Sequence, residues 1–197
     1  LPFNRLEGLQ GSLGIPLPAS TQWDIVSDAA HVMEPIYEEL IRQAAQGELL
    51  HNDDTTMRIL GVTGETEAEA YAYEEPKRKG VFTSGIVSLA GDRRIALFFT
   101  GRRHAGENLA EVLGHRATDL SAPIQMCDAL SRNDPKGFDT IVANCNAHGR
   151  RQFVEVAENF PDECRFVLET LKGVYKNEAV AKKRNLSPLE RLRFHQK

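Results

Sequence analysis

The sequence is short of the features that most quickly assign a protein. Three cysteines in 197 residues are too few, and odd in number, for a disulfide-stapled scaffold. No run approaches the roughly 18 apolar residues of a membrane span, so no membrane partner is expected. Positive charge is not in excess: 24 Lys and Arg stand against 28 Asp and Glu, which excludes a histone-like coater that is basic all over. There is no phosphate-loop or dinucleotide fingerprint, no Gly-x-Ser-x-Gly and no His-Glu-x-x-His. Nucleotide-binding, serine-hydrolase and zincin readings therefore have no motif behind them. Internal repeats and low-complexity tracts are also missing. So are a first Met and a charged-then-apolar leader, so a chain running from Leu1 to Lys197 reads as a piece of a longer protein.

What is present is an ordinary globular composition, 41% hydrophobic and 26% charged, in a chain long enough to bury a core. The charge is divided along it. Residues 150–197 carry 11 Lys and Arg against 7 Asp and Glu, whereas the first 149 carry 13 against 21. A basic tail can face a polyanion while the acidic part holds carboxylates; solvated helix surfaces explain the same division equally well.

The apolar pattern predicts a short helix over Arg5–Leu13, then a long one capped by Ser20 or Thr21 and ended by Gly47, with Pro35 kinking or splitting it. Leu49–Val62 reads as a strand and Gly64–Lys79 as a loop. Val81–Ala90 and Arg93–Thr100 read as a hairpin turning at Gly91-Asp92. A helix over His104–Leu113, short strands at Pro123–Cys127 and Asp139–Cys145, and a helix over Ala147–Asn159 follow. Helix then continues from Pro161 to the end, restarting at Ser187-Pro188. Three antiparallel strands followed by helix and short strands give an α/β class with the layout of a ribonuclease-H-like mixed sheet. A long helix precedes it and a helical region follows. The expected division is residues 1–47, 48–153 and 154–197.

Asp53 and Asp54 fall in the middle of the first strand, where neighbours point to opposite faces, so only one can share a site with a given partner. Asp128 ends a short strand, the place where open α/β sheets bind ligands. If the two strands are neighbours, Asp53 and Asp128 stand side by side, and such a pair can hold Mg²⁺. Cys145 and His148 have the spacing of a zinc half-site, with Cys164 as a third candidate, but a structural zinc site takes four ligands. The preferred reading of this segment is a strand end leading into a helix, with His148, Arg150 and Arg151 facing phosphates or the acidic site. Arg102 and Arg103, between a strand and a helix, are likewise suited to phosphate contact.

Several segments together resemble the Asp-Asp-Glu transposases of the insertion-sequence-sixty-six type, nearly end to end. His51-Asn52-Asp53-Asp54-Thr55 is similar to the family's first motif, usually Asp-Glu-Thr-Pro. Gly101-Arg102-Arg103-His104-Ala105-Gly106-Glu107 resembles its turn before a helix. Gln125-Met126-Cys127-Asp128 falls where its second Asp stands. The most specific match is Cys145-Asn146-Ala147-His148-Gly149-Arg150-Arg151-Gln152-Phe153, which resembles the Cys-x-Ala-His-x-Arg-Arg-x-Phe signature. Leu186–Leu192 looks like the family's helical insertion. The sequence departs at Asp54 and Thr56, where Glu and Pro are usual, and at Ala129-Leu130, where Gly-Tyr is usual.

The resemblance implies a ribonuclease-H-like catalytic core, truncated here, that cleaves DNA at transposon ends and transfers the strand to target DNA. Asp53 and Asp128 would ligate Mg²⁺, with Mn²⁺ as a substitute. The family's Glu would lie beyond residue 197, because Glu178 and Glu190 sit in the insertion. Arg102, Arg103, His148, Arg150 and Arg151 would contact DNA. A homo-oligomeric active complex in the bacterial cytoplasm, at the nucleoid, would follow. The alternative is a non-catalytic DNA- or zinc-binding remnant.

Overall fold

In the computed structural model, residues 3–15, 17–57 and 80–196 are described. Two helices come first, α1 (Phe3–Ser12) and α2 (Ala19–Ala44). The expected first strand is β1 (Leu49–Met57); its continuation to Val62 and the expected loop at 64–79 lie outside the described residues. The hairpin β2 (Val81–Ala90) and β3 (Arg93–Gly101) follows, then α3 (Ala105–Leu113), β4 (Ile124–Cys127) and β5 (Ile141–Asn144). Helices α4 (Asn146–Glu155), α5 (Pro161–Lys183) and α6 (Pro188–His195) complete the order.

Among the described residues the strands form one mixed five-stranded sheet in the order β3-β2-β1-β4-β5. β1 pairs antiparallel with β2, and β2 with β3, while β4 runs parallel to both β1 and β5. The hairpin turns where expected, and Gly91 takes φ +56°, the left-handed conformation this tight connection needs.

One face of the sheet is covered by α3 and by the end of α2. Leu50, Ile86 and Leu97 from the strands meet Leu109, Val112 and Leu113 from α3 and Ala44 and Ala45 at the end of α2. All are 2% exposed or less, so each of the larger side chains contributes about 1.5–3 kcal/mol of apolar burial. α3 is bound to the sheet because its buried residues Ala105, Leu109, Val112 and Leu113 recur at helical spacing.

Two details of α2 differ from expectation. The helix starts at Ala19 behind Pro18, which makes no side-chain cap, so neither Ser20 nor Thr21 caps it. Pro35 neither splits it nor ends it; the helix runs on to Ala44, where burial against the core holds its last turn. Of the long apolar stripe, only these final turns enter the core, and Val32 and Met33 remain exposed.

α5 packs against α4 and α6. α6 begins with a reciprocal cap: Ser187 Oγ and backbone N–H both donate to Glu190 Oε2, at 2.6 and 2.8 Å. These bonds, the side-chain one first, hold the Glu190 carboxyl below its ordinary value. Glu178 on α5 accepts from Arg191 and lies 3.3 Å from His195 Nε2, both on α6. Desolvation pushes the Glu178 carboxyl up, but the His195 bond and the Arg191 and Lys182 charges outweigh it and leave it below 4.5. A carboxyl lowered by folding stabilises above its unfolded value and ceases to do so as pH falls through the folded one. The α5–α6 junction is therefore expected to hold at and above the ordinary carboxylate range and to loosen as pH falls through the lowered folded values beneath it. Amide hydrogen exchange in α6, followed on acidification, checks this: protection unchanged down to full protonation of both carboxyls would contradict it.

No described helix is long and apolar enough to cross a membrane.

Candidate functional site

β1 separates its two acidic residues completely. Asp54 shares a face with Leu50 and Asn52, toward α3, and its side chain is 1% exposed. It sits directly across from Ser84 on β2, whose hydroxyl donates to Asp54 Oδ1 at 2.7 Å. His104, the residue before α3, places Nδ1 2.8 Å from Asp54 Oδ2. Asn108 donates to Ser84 Oγ at 2.8 Å, and Arg132 Nε lies 3.9 Å from Asp54 Oδ2. Asp54 is thus a buried carboxylate compensated by neighbours from β2, α3 and the loop after β4.

Asp53 points the other way and its side chain is 56% exposed. Its partner across the ladder is Gly85, which has no side chain to crowd it. Oδ1 accepts from the Asp54 backbone N–H at 2.8 Å, and Oδ2 lies 4.0 Å from His148 Nε2 on α4. The His148 Nδ1 is buried without a protein partner.

Asp128 follows β4. The parallel ladder sets Leu49 beside Ile124 and His51 beside Met126. The ladder ends there and β4 ends at Cys127, so Asp128 stands just past the strand; continuing the register by two residues would bring it level with Asp53. Asp128 Oδ1 accepts from the Leu130 N–H at 3.1 Å and from the Asn133 side-chain amide, so among the described residues the hydrogen bonds to this carboxylate fall on Oδ1. Within the turn Ala129 takes φ +67°, a conformation that costs a residue with a Cβ about 1–2 kcal/mol and costs Gly nothing comparable. This is the position where the resembling family usually has Gly. α4 is tied to the same strand end, since the Cys145 N–H donates to Cys127 O at 2.8 Å.

The arginines lie on different sides. Arg103 Nη1 is 2.5 Å from Glu111 Oε2 on α3, where burial, then the Glu111 charge, also push the Tyr37 phenol up. Arg102 stands beside it at the end of β3 and has contacts of its own. Arg150 and Arg151 are exposed on α4; Arg150 lines a cavity of about 600 Å³ against α5, with Arg165, Lys172 and Tyr175. From α4, His148 reaches β1 through its 4.0 Å approach to Asp53.

Asp53 on the exposed face and Asp128 just past the neighbouring strand end are carboxylates of the kind Mg²⁺ takes, since it needs only one or two and keeps its waters. Among the described residues no group of three or more His, Cys, Asp or Glu is placed to hold a metal. Cys145, His148 and Cys164 thus do not assemble as a zinc site; Cys164 is buried on α5. Sequence reasoning missed the Asp54 cluster. Its signal was polar Asn52 and Asp54 in phase with Leu50, the buried side of the strand.

The family profile described as "Transposase IS66 family" matches residues 1–197. The uncharacterized protein y4hP of Sinorhizobium fredii (strain NBRC 101917 / NGR234) is 26% identical over 160 residues. That alignment spans 80% of this chain and 27% of the relative.

Proposed function

The chain belongs to the transposase IS66 family, and from that premise we propose that it is part of a DNA transposase, within a ribonuclease-H-like catalytic core. The observation that carries the reading is the β1–β4 register, which supports Asp53 and Asp128 as a carboxylate pair on one face. Strand order 3-2-1-4-5, with antiparallel pairing on one side of β1 and parallel on the other, supports the core. The whole enzyme cleaves a DNA strand at the transposon end and joins the freed 3′-OH to target DNA. DNA is its partner, several copies form the active complex, and the setting is the bacterial nucleoid.

Asp53 and Asp128 hold divalent metal, Mg²⁺ or Mn²⁺, which when bound supplies Lewis acidity toward the scissile phosphate. His148 orients beside Asp53, and Arg102, Arg103, Arg150 and Arg151 contact phosphates. Asp54 is excluded from the ligand set by the opposite-face geometry of adjacent strand residues. The test uses the full-length protein on DNA carrying the element's ends, with Mg²⁺. Asp53→Ala and Asp128→Ala are each expected to abolish cleavage and joining while leaving salt-sensitive DNA binding in place. Cleavage retained in Asp53→Ala would overturn the assignment. DNA binding with no catalysis in the parent protein would favour the non-catalytic alternative.

A further inference from the structure

Asn133 is fully buried at the end of a single 3-10 turn (Ser131–Asn133) after β4. Its backbone carbonyl accepts from two buried amides, Asn52 Nδ2 on β1 at 3.0 Å and Gln125 Nε2 on β4 at 2.7 Å. Gln125 also donates to Asn52 Oδ1 at 2.9 Å and accepts from Thr140 Oγ1 at 2.8 Å. The backbone of Asn133 is thus clamped to both strands that present the candidate carboxylates. Its side-chain amide donates to Asp128 Oδ1.

The same side chain leaves its own Oδ1 buried with no partner. An unsatisfied buried acceptor is a cost that an apolar residue would avoid. The cost is offset only through the Nδ2 bond to Asp128, a charge-assisted contact. That bond and the Leu130 N–H occupy Oδ1. Among the described residues Oδ2 accepts no hydrogen bond, which leaves it as the oxygen for a cation on a carboxylate held by its other oxygen.

We propose that Asn133 is a positioning residue: it sets the orientation of the Asp128 carboxylate so that one oxygen is committed to the protein and the other to a divalent cation. This rests on the metal-binding reading of Asp128 given above. Groups that orient metal-binding carboxylates are worth about 10–100-fold in metal affinity.

The experiment is Mn²⁺ titration of the full chain by electron paramagnetic resonance, with folding followed by circular dichroism. Asp128→Asn is expected to weaken Mn²⁺ binding most. Asn133→Ala and Asn133→Asp, measured at temperatures where each is folded, are expected to weaken it about 10–100-fold. A purely structural Asn133 would lower thermal stability and leave the affinity of the folded protein unchanged. If Asp128→Asn weakens binding and neither Asn133 variant does, the positioning role is wrong and the metal reading stands. If Asp128→Asn has no effect, the metal reading falls and takes the positioning role with it. Should the Asn133 variants fail to fold, the Asn133 side-chain amide resonance decides. Asp128→Asn must shift it, and an unmoved resonance overturns the proposal.

Discussion

Asp54→Ala is expected to destabilise the sheet by about 3–5 kcal/mol, the usual result of removing one partner from a buried charged cluster. The neighbouring Asp53→Ala is expected to stay within about 0.5 kcal/mol of the parent, as exposed substitutions do. The contrast follows from exposure and partners. The Asp54 side chain is 1% exposed and is held by Ser84 and His104 within hydrogen-bond distance, with Arg132 at 3.9 Å. Without it, the buried Ser84 hydroxyl and the mostly buried His104 ring lose their shared partner, while the Arg132 guanidinium, 40% exposed, turns to water. Asp53 is 56% exposed, and water replaces what its carboxylate does. For a chain of this size the Asp54 loss corresponds to a fall in Tm of roughly 10 °C. Urea unfolding of both variants measures the difference directly. Equal effects would show that the two carboxylates are not on opposite faces. The pair also separates structure from chemistry, because the stable variant is the one expected to lose DNA cleavage.

Gly106→Ala is expected to cost about 1–3 kcal/mol or more, against the roughly 1 kcal/mol that Ala gains over Gly inside a helix. A Cβ on Gly106 would lie 2.4 Å from Asp134 O, 2.7 Å from Arg132 O and 2.8 Å from Asn133 C. All three are backbone atoms, so none can swing away. Either α3 lifts from the turn or the turn moves. The first disturbs Leu109, Val112 and Leu113 in the core; the second displaces Asn133 and, with it, Asp128. Gly173→Ala is the internal control, because nothing lies within 4 Å of a Cβ there. It is expected to stabilise by about 0.5–1 kcal/mol through helix propensity alone. Thermal unfolding of the two variants should move in opposite directions, and a stabilising Gly106→Ala would rule out the close approach.

Much of the fold was legible because the signals were local. The hairpin at Gly91-Asp92, the amphipathic α3 and the restart at Ser187-Pro188 each depend on a few consecutive residues and their periodicity. The expected start of α2 failed because capping preference is weak beside other determinants of a helix start. At Pro35 the rule of interruption gave way to a helix anchored at its far end by Ala44 and Ala45.

For the candidate site, alternation along β1 already established that Asp53 and Asp54 face apart, since strand geometry allows nothing else. It did not say which faces the core. That depended on α3 covering one side of the sheet, which put Ser84 and His104 beside Asp54 from residues 30 and 50 positions away. The amide cluster of Asn52, Gln125 and Asn133 is likewise drawn from three separated stretches of chain. Motif and period, which act through neighbours in sequence, were determined by the sequence alone: the elements, their order, the two acidic positions and the family. Which carboxylate is buried, and what holds the other two in place, was decided by tertiary structure, because burial and hydrogen-bond partnership belong to whatever packs across the sheet.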